Sequence, residues 1–282
     1  MTKEKFKLIN LATVKKVSSL FSWNYKTIFH WSWIEFEELK QYSFWEEVRN
    51  IDWLTSAKTW KTFIKRFQEE RELEVLFLVD IWESMFFWSW DKIKMDIVFE
   101  LFNILSFSSL KNNDKIWAIF FENEIKKEFQ SKKWLSNLLN IGKYLVDIKQ
   151  NEVLSWSNID AILNKLYLKK KKNSLIFILT DYIWNLNKVH FKALSVKNDL
   201  VYINVFDEFE ENLTLRWIFN FTWNANINLN DINKSKQYFE SRKEIKAKFK
   251  HEVLNNSWDY MEISNRSNVY AVLYDFFKLR KI

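Results

Sequence analysis

The sequence predicts an α/β fold, a mostly parallel sheet flanked by helices, and three observations carry that prediction. Four runs are almost entirely apolar and only six or seven residues long, amphipathic segments of helical spacing lie between them, and Asp80 and Asp181 each directly follow one of the runs. Short runs without alternation suit strands covered on both faces, as a parallel sheet requires. The first is Glu74–Val79 (EVLFLV), which ends at Asp80. Ile116–Phe121 (IWAIFF), Leu175–Thr180 (LIFILT) and Leu200–Phe206 (LVYINVF) follow the same pattern. Ile125–Phe129 alternates instead and comes after the short Glu122, Asn123, Glu124 turn, so it reads as an edge strand hairpinned to its predecessor. Apolar residues at helical spacing fall in Lys92–Leu110, Ser157–Leu168 and Asn187–Val196. A charged helix over about Asp231–Leu254 and a closing one over about Ser267–Leu279 complete the chain. Residues 1–73 read as a β-rich N-terminal extension, and residues 74–282 as the α/β domain.

Composition narrows the class. A chain of 282 residues that is 48% apolar and 18% aromatic holds enough hydrophobic surface for a sizeable core. With no cysteine there are no disulfides, thiolate metal sites or cysteine nucleophile, and three histidines far apart in sequence (His30, His190, His251) argue against an imidazole-rich zinc site. No apolar run reaches the roughly 18 residues of a membrane span, and the first residues show no signal-peptide pattern. The expectation is a soluble, unprocessed cytoplasmic protein. The net charge of +7 raises nucleic-acid binding as an alternative, but the basic residues are dispersed and no nucleic-acid motif stands out, so solvated helix faces explain them better. The run Lys169–Lys172 reads likewise as lysines offsetting a helix dipole.

One count is anomalous. An average chain of this length carries about 20 glycines, and this one has a single glycine, Gly142, beside 16 tryptophans. Many of those tryptophans stand in turn-like contexts such as SWN, WSW and NSWD, where glycine chemistry belongs. The reading is that UGA codons meaning glycine have been translated as tryptophan.

Ligands of an open parallel sheet bind beyond the carboxyl ends of its strands. Asp80 and Asp181 follow two of the expected strands, and Ser84 and Ser157 lie in loops that open the next helices. Oxygen donors without sulfur or imidazole suit a hard divalent cation such as Mg²⁺. The alternative is that each of the four simply caps the helix after it.

From His30 to Met85 the chain reads HWSWIEFEELKQYSFWEEVRNIDWLTSAKTWKTFIKRFQEERELEVLFLVDIWESM. It resembles the von Willebrand factor A-like proteins of unknown function associated with MoxR-type AAA+ ATPases, whose members read RGRG.EFEELR.Y..GDDVRDIDW..SARTGK.YVKEF.EERE before a strand ending in DxSxSM. The resemblance implies a von Willebrand factor A-like (Rossmann-like) sheet. It also sets Trp31, Trp33, Trp45, Trp60, Trp88, Trp90 and Trp117 where the family has glycine, and Trp53 where it has tryptophan. The family's metal-ion-dependent adhesion site implies Asp80, Ser84, Ser157 (in the threonine position) and Asp181 as ligands of Mg²⁺. Trp82 replaces the middle serine, so the implied site is weakened. Partners implied by the resemblance are a MoxR-like AAA+ ATPase and an acidic client protein. The chain lacks GxxxxGK[ST], so the ATPase would supply the chemistry, and no catalytic residue is expected. A serine hydrolase using Ser84 with Asp181 and His190 or His251 is the enzymatic alternative, weakened because Phe86 stands at the second glycine position of GxSxG. Met85 is expected to fill the core behind the loop.

Overall fold

Strands with no polar face must be covered on both sides, and two helical layers do this here. The computed structural model describes residues 39–43, 51, 53–59, 61–65, 73–86, 92–148, 157–169, 173–181, 188–208 and 232–280. Among them β1 (Leu39–Gln41) and β2 (Phe63–Lys65) form a two-stranded antiparallel ribbon, with helix α1 (Trp53–Thr59) between them in sequence. The rest of the expected extension, residues 1–73, lies largely outside the described residues.

The main sheet has six strands: β3 (Glu74–Asp80), β4 (Lys115–Phe121), β5 (Ile125–Lys132), β6 (Ser174–Thr180), β7 (Asp199–Phe206) and β8 (Asp259–Ser264). Their order is β5-β4-β3-β6-β7-β8. All neighbours are parallel except β4 and β5, which pair antiparallel as the hairpin predicted. The four apolar runs are therefore interior strands, and the alternating one is an edge. Counted from β3 the order is that of the doubly wound sheet, with the reversal between β3 and β6.

Alternate residues of each strand feed opposite cores. Val75, Phe77 and Val79 pack beneath α2 (Lys94–Lys111), α3 (Leu135–Asp147) and α7 (Val269–Leu279). Leu76 and Leu78 pack with α4 (Ile159–Leu168), with Leu194 of α5 (Lys188–Ser195) and with Phe249 and Val253 of α6 (Ile232–Asn255). Phe77 stacks on Phe177 at 5.5 Å and meets Phe102 edge-on at 5.0 Å, which locks β3 to β6 and to α2. At about 1.5–3 kcal/mol for each large apolar side chain buried, this double core is the stiff base on which the strand ends stand. Met85 is fully buried in it, as expected.

Two elements lie beyond the sequence reading. Helix α3 begins at Trp134, which supplies no side-chain cap, and contains Gly142, both contrary to helix-start and helix-interior signals. Strand β8 is six residues long with two acidic residues, too polar for an apolar-run search. The expected helix starts also move by one or two residues: α4 starts at Ile159 and α7 at Val269, because Asn158 and Asn268 cap them by accepting from the Ala161 and Ala271 N–H groups.

Candidate functional site

The chain leaves β3 at Asp80 and turns at once. The carboxylate Oδ1 of Asp80 accepts the Trp82 N–H at 3.0 Å, and a short 3-10 turn follows over Glu83–Phe86. Its other oxygen, Oδ2, accepts two hydroxyls, Ser157 Oγ and Thr180 Oγ1, each at 2.7 Å. Asp80 is fully buried. Burial, reinforced by the negative charge of Asp181, pushes its carboxyl up to about 7, while the three hydrogen bonds pull the other way.

Register explains the gathering. Val79 of β3 pairs with Leu179 of β6, so Asp80 and Thr180 emerge side by side, with Asp181 one residue further on the same rim. Ser157 arrives from the loop before α4, where Asn158 takes the capping role and its N–H donates to the Glu122 carbonyl at the end of β4. Helix capping therefore accounts for neither Ser157 nor Asp80. Ser84 lies in the turn after β3; its Oγ is buried and has no hydrogen-bond partner. Among the four residues singled out, Ser157 donates to Asp80, Asp181 acts on Asp80 through its charge, and the Ser84 hydroxyl makes no hydrogen bond to the other three.

Sequence reasoning passed over four residues of this rim. Thr180 is the last residue of a predicted strand, and its hydroxyl equals that of Ser157 in its hold on Asp80. Glu122 and Asp207, both buried, follow β4 and β7 in the way that Asp80 ends β3, so the same strand-end rule could have found them. Asp207 accepts from Asn265 Nδ2 at 2.8 Å. The fourth is Lys94. This lysine is only 1% exposed, and its ammonium donates to Asp181 Oδ2 at 2.8 Å. Nothing in its sequence context, the first residue of an amphipathic helix, marks it as a rim residue.

The donor chemistry bears on Mg²⁺. Carboxylate and hydroxyl oxygens are what that ion takes, and the orphaned Ser84 Oγ is a donor without an occupation. Against this, both oxygens of Asp80 already accept hydrogen bonds, Asp181 holds an ammonium, and Trp82 brings no side-chain oxygen. Among the described residues no group of three or more His, Cys, Asp or Glu side chains forms a metal cluster. As they stand, the residues fit Mg²⁺ poorly.

A doubly wound sheet of this strand order, with buried carboxylates and hydroxyls at its carboxyl rim, is the mostly parallel α/β architecture expected of a von Willebrand factor A-like domain. The chain belongs to the family described as Protein of unknown function DUF58, whose model matches residues 38–252. Among solved structures it is similar to the conserved hypothetical protein BatB from Bacteroides thetaiotaomicron, at 14% identity over 74% of this chain and 98% of that one, with a TM-score of 0.45. It is similar also to an aerotolerance-related membrane protein from Bacteroides fragilis NCTC 9343, at 17% identity over 73% and 99% of the two chains and a TM-score of 0.45. The VWA domain of SpRpn10 is 8% identical over 72% and 95%, with a TM-score of 0.41. No curated protein matches the chain. Among the described residues no helix is long and apolar enough to cross a membrane.

Proposed function

We propose that this chain is a non-enzymatic protein-interaction module whose carboxyl-end rim, a degenerate metal-ion-dependent adhesion site, docks an acidic group of a client or of a MoxR-like AAA+ ATPase that matures or remodels client complexes. The observation that carries the reading is the convergence of Ser157 and Thr180 on buried Asp80, with Asp181 beside them. Asp80 and Thr180 are themselves fully buried, so in this reading the partly exposed Ser157 and Asp181, held in place around them, offer the recognition surface. The ATPase partner rests on the sequence resemblance. In this reading Mg²⁺ binds weakly, through Asp80, Ser84, Ser157 and Asp181, and the protein works in the cytoplasm.

The hydrolase alternative lacks support at its nucleophile. A serine that attacks needs a hydrogen-bonded base, and Ser84 Oγ has no hydrogen-bond partner. His251 pairs instead with Asn255 along α6, and the His190 ring lies 6.0 Å from that of Tyr167.

The codon reading is part of the proposal, because it decides what stands at position 82. Its support is the residue count and the family resemblance. Among the described residues positive φ falls on Asn113, Asn173 and Ser257 and on no tryptophan, so the turn argument gains nothing there. Trp31, Trp33, Trp45, Trp60, Trp88 and Trp90 lie outside the described residues, and Trp117 is buried in β4. Protein from the native host should have an intact mass well below 34.7 kDa; a mass of 34.7 kDa rejects recoding.

Affinity capture from the host with the tagged chain tests the function. The expected result is an AAA+ ATPase that is lost with Asp181→Ala. Capture that never includes an AAA+ protein removes the partner, and capture indifferent to the rim removes the docking surface.

A further inference from the structure

A buried lysine at the first position of a helix is costly twice over. The positive end of the helix dipole opposes it, and the ammonium must leave water. Lys94 meets both costs: it opens α2 and is 1% exposed. Its helix start is secured without it, because the Ile93 N–H donates to Asp96 Oδ2 at 3.2 Å. What Lys94 does instead is reach the rim, where its ammonium sits 2.8 Å from Asp181 and compensates the negative charge there. A cation is thus already present at the rim, beside the carboxylate pair that the sequence assigns to a divalent ion.

We infer that Lys94 is a tethered cation, its ammonium taking the place of a divalent ion at the carboxyl rim and making docking at that rim independent of metal. The inference rests on the reading of the rim as a degenerate adhesion site. It gives a physical reason for the weakness of that site: a second cation would lie against the first, and Asp181 could serve only one of them. Trp82 can then replace a ligand serine without leaving Asp181 uncompensated, since a covalently attached charge does not depend on the number of ligands around it.

Titration calorimetry with MgCl₂, alongside the electron paramagnetic resonance of added Mn²⁺, tests this on the full chain. The wild type should give no binding heat at millimolar ion and leave the aqueous Mn²⁺ spectrum unchanged. Lys94→Met should bind at least about tenfold more tightly than wild type, the effect of removing one cation from beside another. Adding Asp181→Asn to that variant should abolish the gain. Because Lys94→Met strands a carboxylate, its thermal melting is followed with and without Mg²⁺, and Lys94→Gln serves as a milder second variant. A variant that is unfolded in EDTA and recovers in Mg²⁺ supports the proposal as directly as a binding isotherm. Submillimolar Mg²⁺ binding by the wild type overturns it whatever the variants do. So does the failure of both variants to respond to the ion in binding or in melting. These outcomes do not depend on finding a protein partner, so loss of the docking reading and loss of the tethered-cation reading are separable: the first shows in capture, the second in titration.

Discussion

The two ends of one sheet carry similar charges arranged to opposite purpose. At the amino end, Asp199 opens β7 and Asp259 opens β8, and Arg280, just past α7, donates to both, at 2.5 and 2.7 Å. At the carboxyl end, Asp80 and Asp181 follow neighbouring strands, but the cation Lys94 contacts Asp181, while Asp80 is held by two hydroxyls and a backbone N–H. One guanidinium shared by two carboxylates is a clamp that joins the last helix to the sheet. A carboxylate held only by neutral donors, with an idle hydroxyl in the adjoining turn, joins no two elements by charge, and in the proposed reading it belongs to a docking rim. Charge count alone would not tell the two ends apart; the identity of the donors does.

Substitutions break the comparison in a definite order. Arg280→Ala should cost most, about 3 kcal/mol in urea unfolding, the low end for breaking a buried pair because Asp259 is about a third exposed. It should leave partner capture unchanged once folded protein is compared. Lys94→Met should cost about 2 kcal/mol in EDTA, because it strands the partly exposed Asp181 carboxylate. Equal costs that Mg²⁺ does not alter would make both ends merely structural.

Proton linkage sharpens the contrast. Burial raises Asp80 to about 7 and Asp199 to about 6, the latter against the pull of Arg280. A carboxyl raised in the folded state binds protons that the unfolded chain has lost, so its contribution is fully present below the ordinary value of 3.8 and declines as pH rises through the folded value. The decline should run from about pH 4 to 7 for Asp80 and should end earlier for Asp199. Asp80→Asn should therefore flatten the upper part of a stability profile measured by thermal melting across that range. Smallest of all, Ser84→Ala should stabilise slightly, by about 1 kcal/mol or less, since it removes a buried hydroxyl that has no hydrogen-bond partner; a loss of stability would reveal a role for Ser84 in holding the turn.

The sequence made the interior strands legible because a strand covered on both faces has no choice but to be apolar, and EVLFLV and LIFILT are. β8 was hidden by its Asp259 and Glu262, which an edge strand tolerates, and α3 by a start without a capping side chain. At the rim, Asp80 and Asp181 followed from the strand-end rule, and applying it to every strand would have added Glu122 and Asp207. Lys94 was beyond reach: its meaning depends on burial against a residue 87 positions away, which no local pattern encodes.

Binding of the proposed partner, a purified MoxR-like ATPase of the host, to immobilised wild type, Asp181→Asn and Asp199→Asn, each checked for folding, measures the central claim most directly. Loss of at least about tenfold in affinity for Asp181→Asn with Asp199→Asn near wild type is the predicted result, in EDTA as in Mg²⁺. Equal affinities for all three, or equal losses at the two ends, would contradict it.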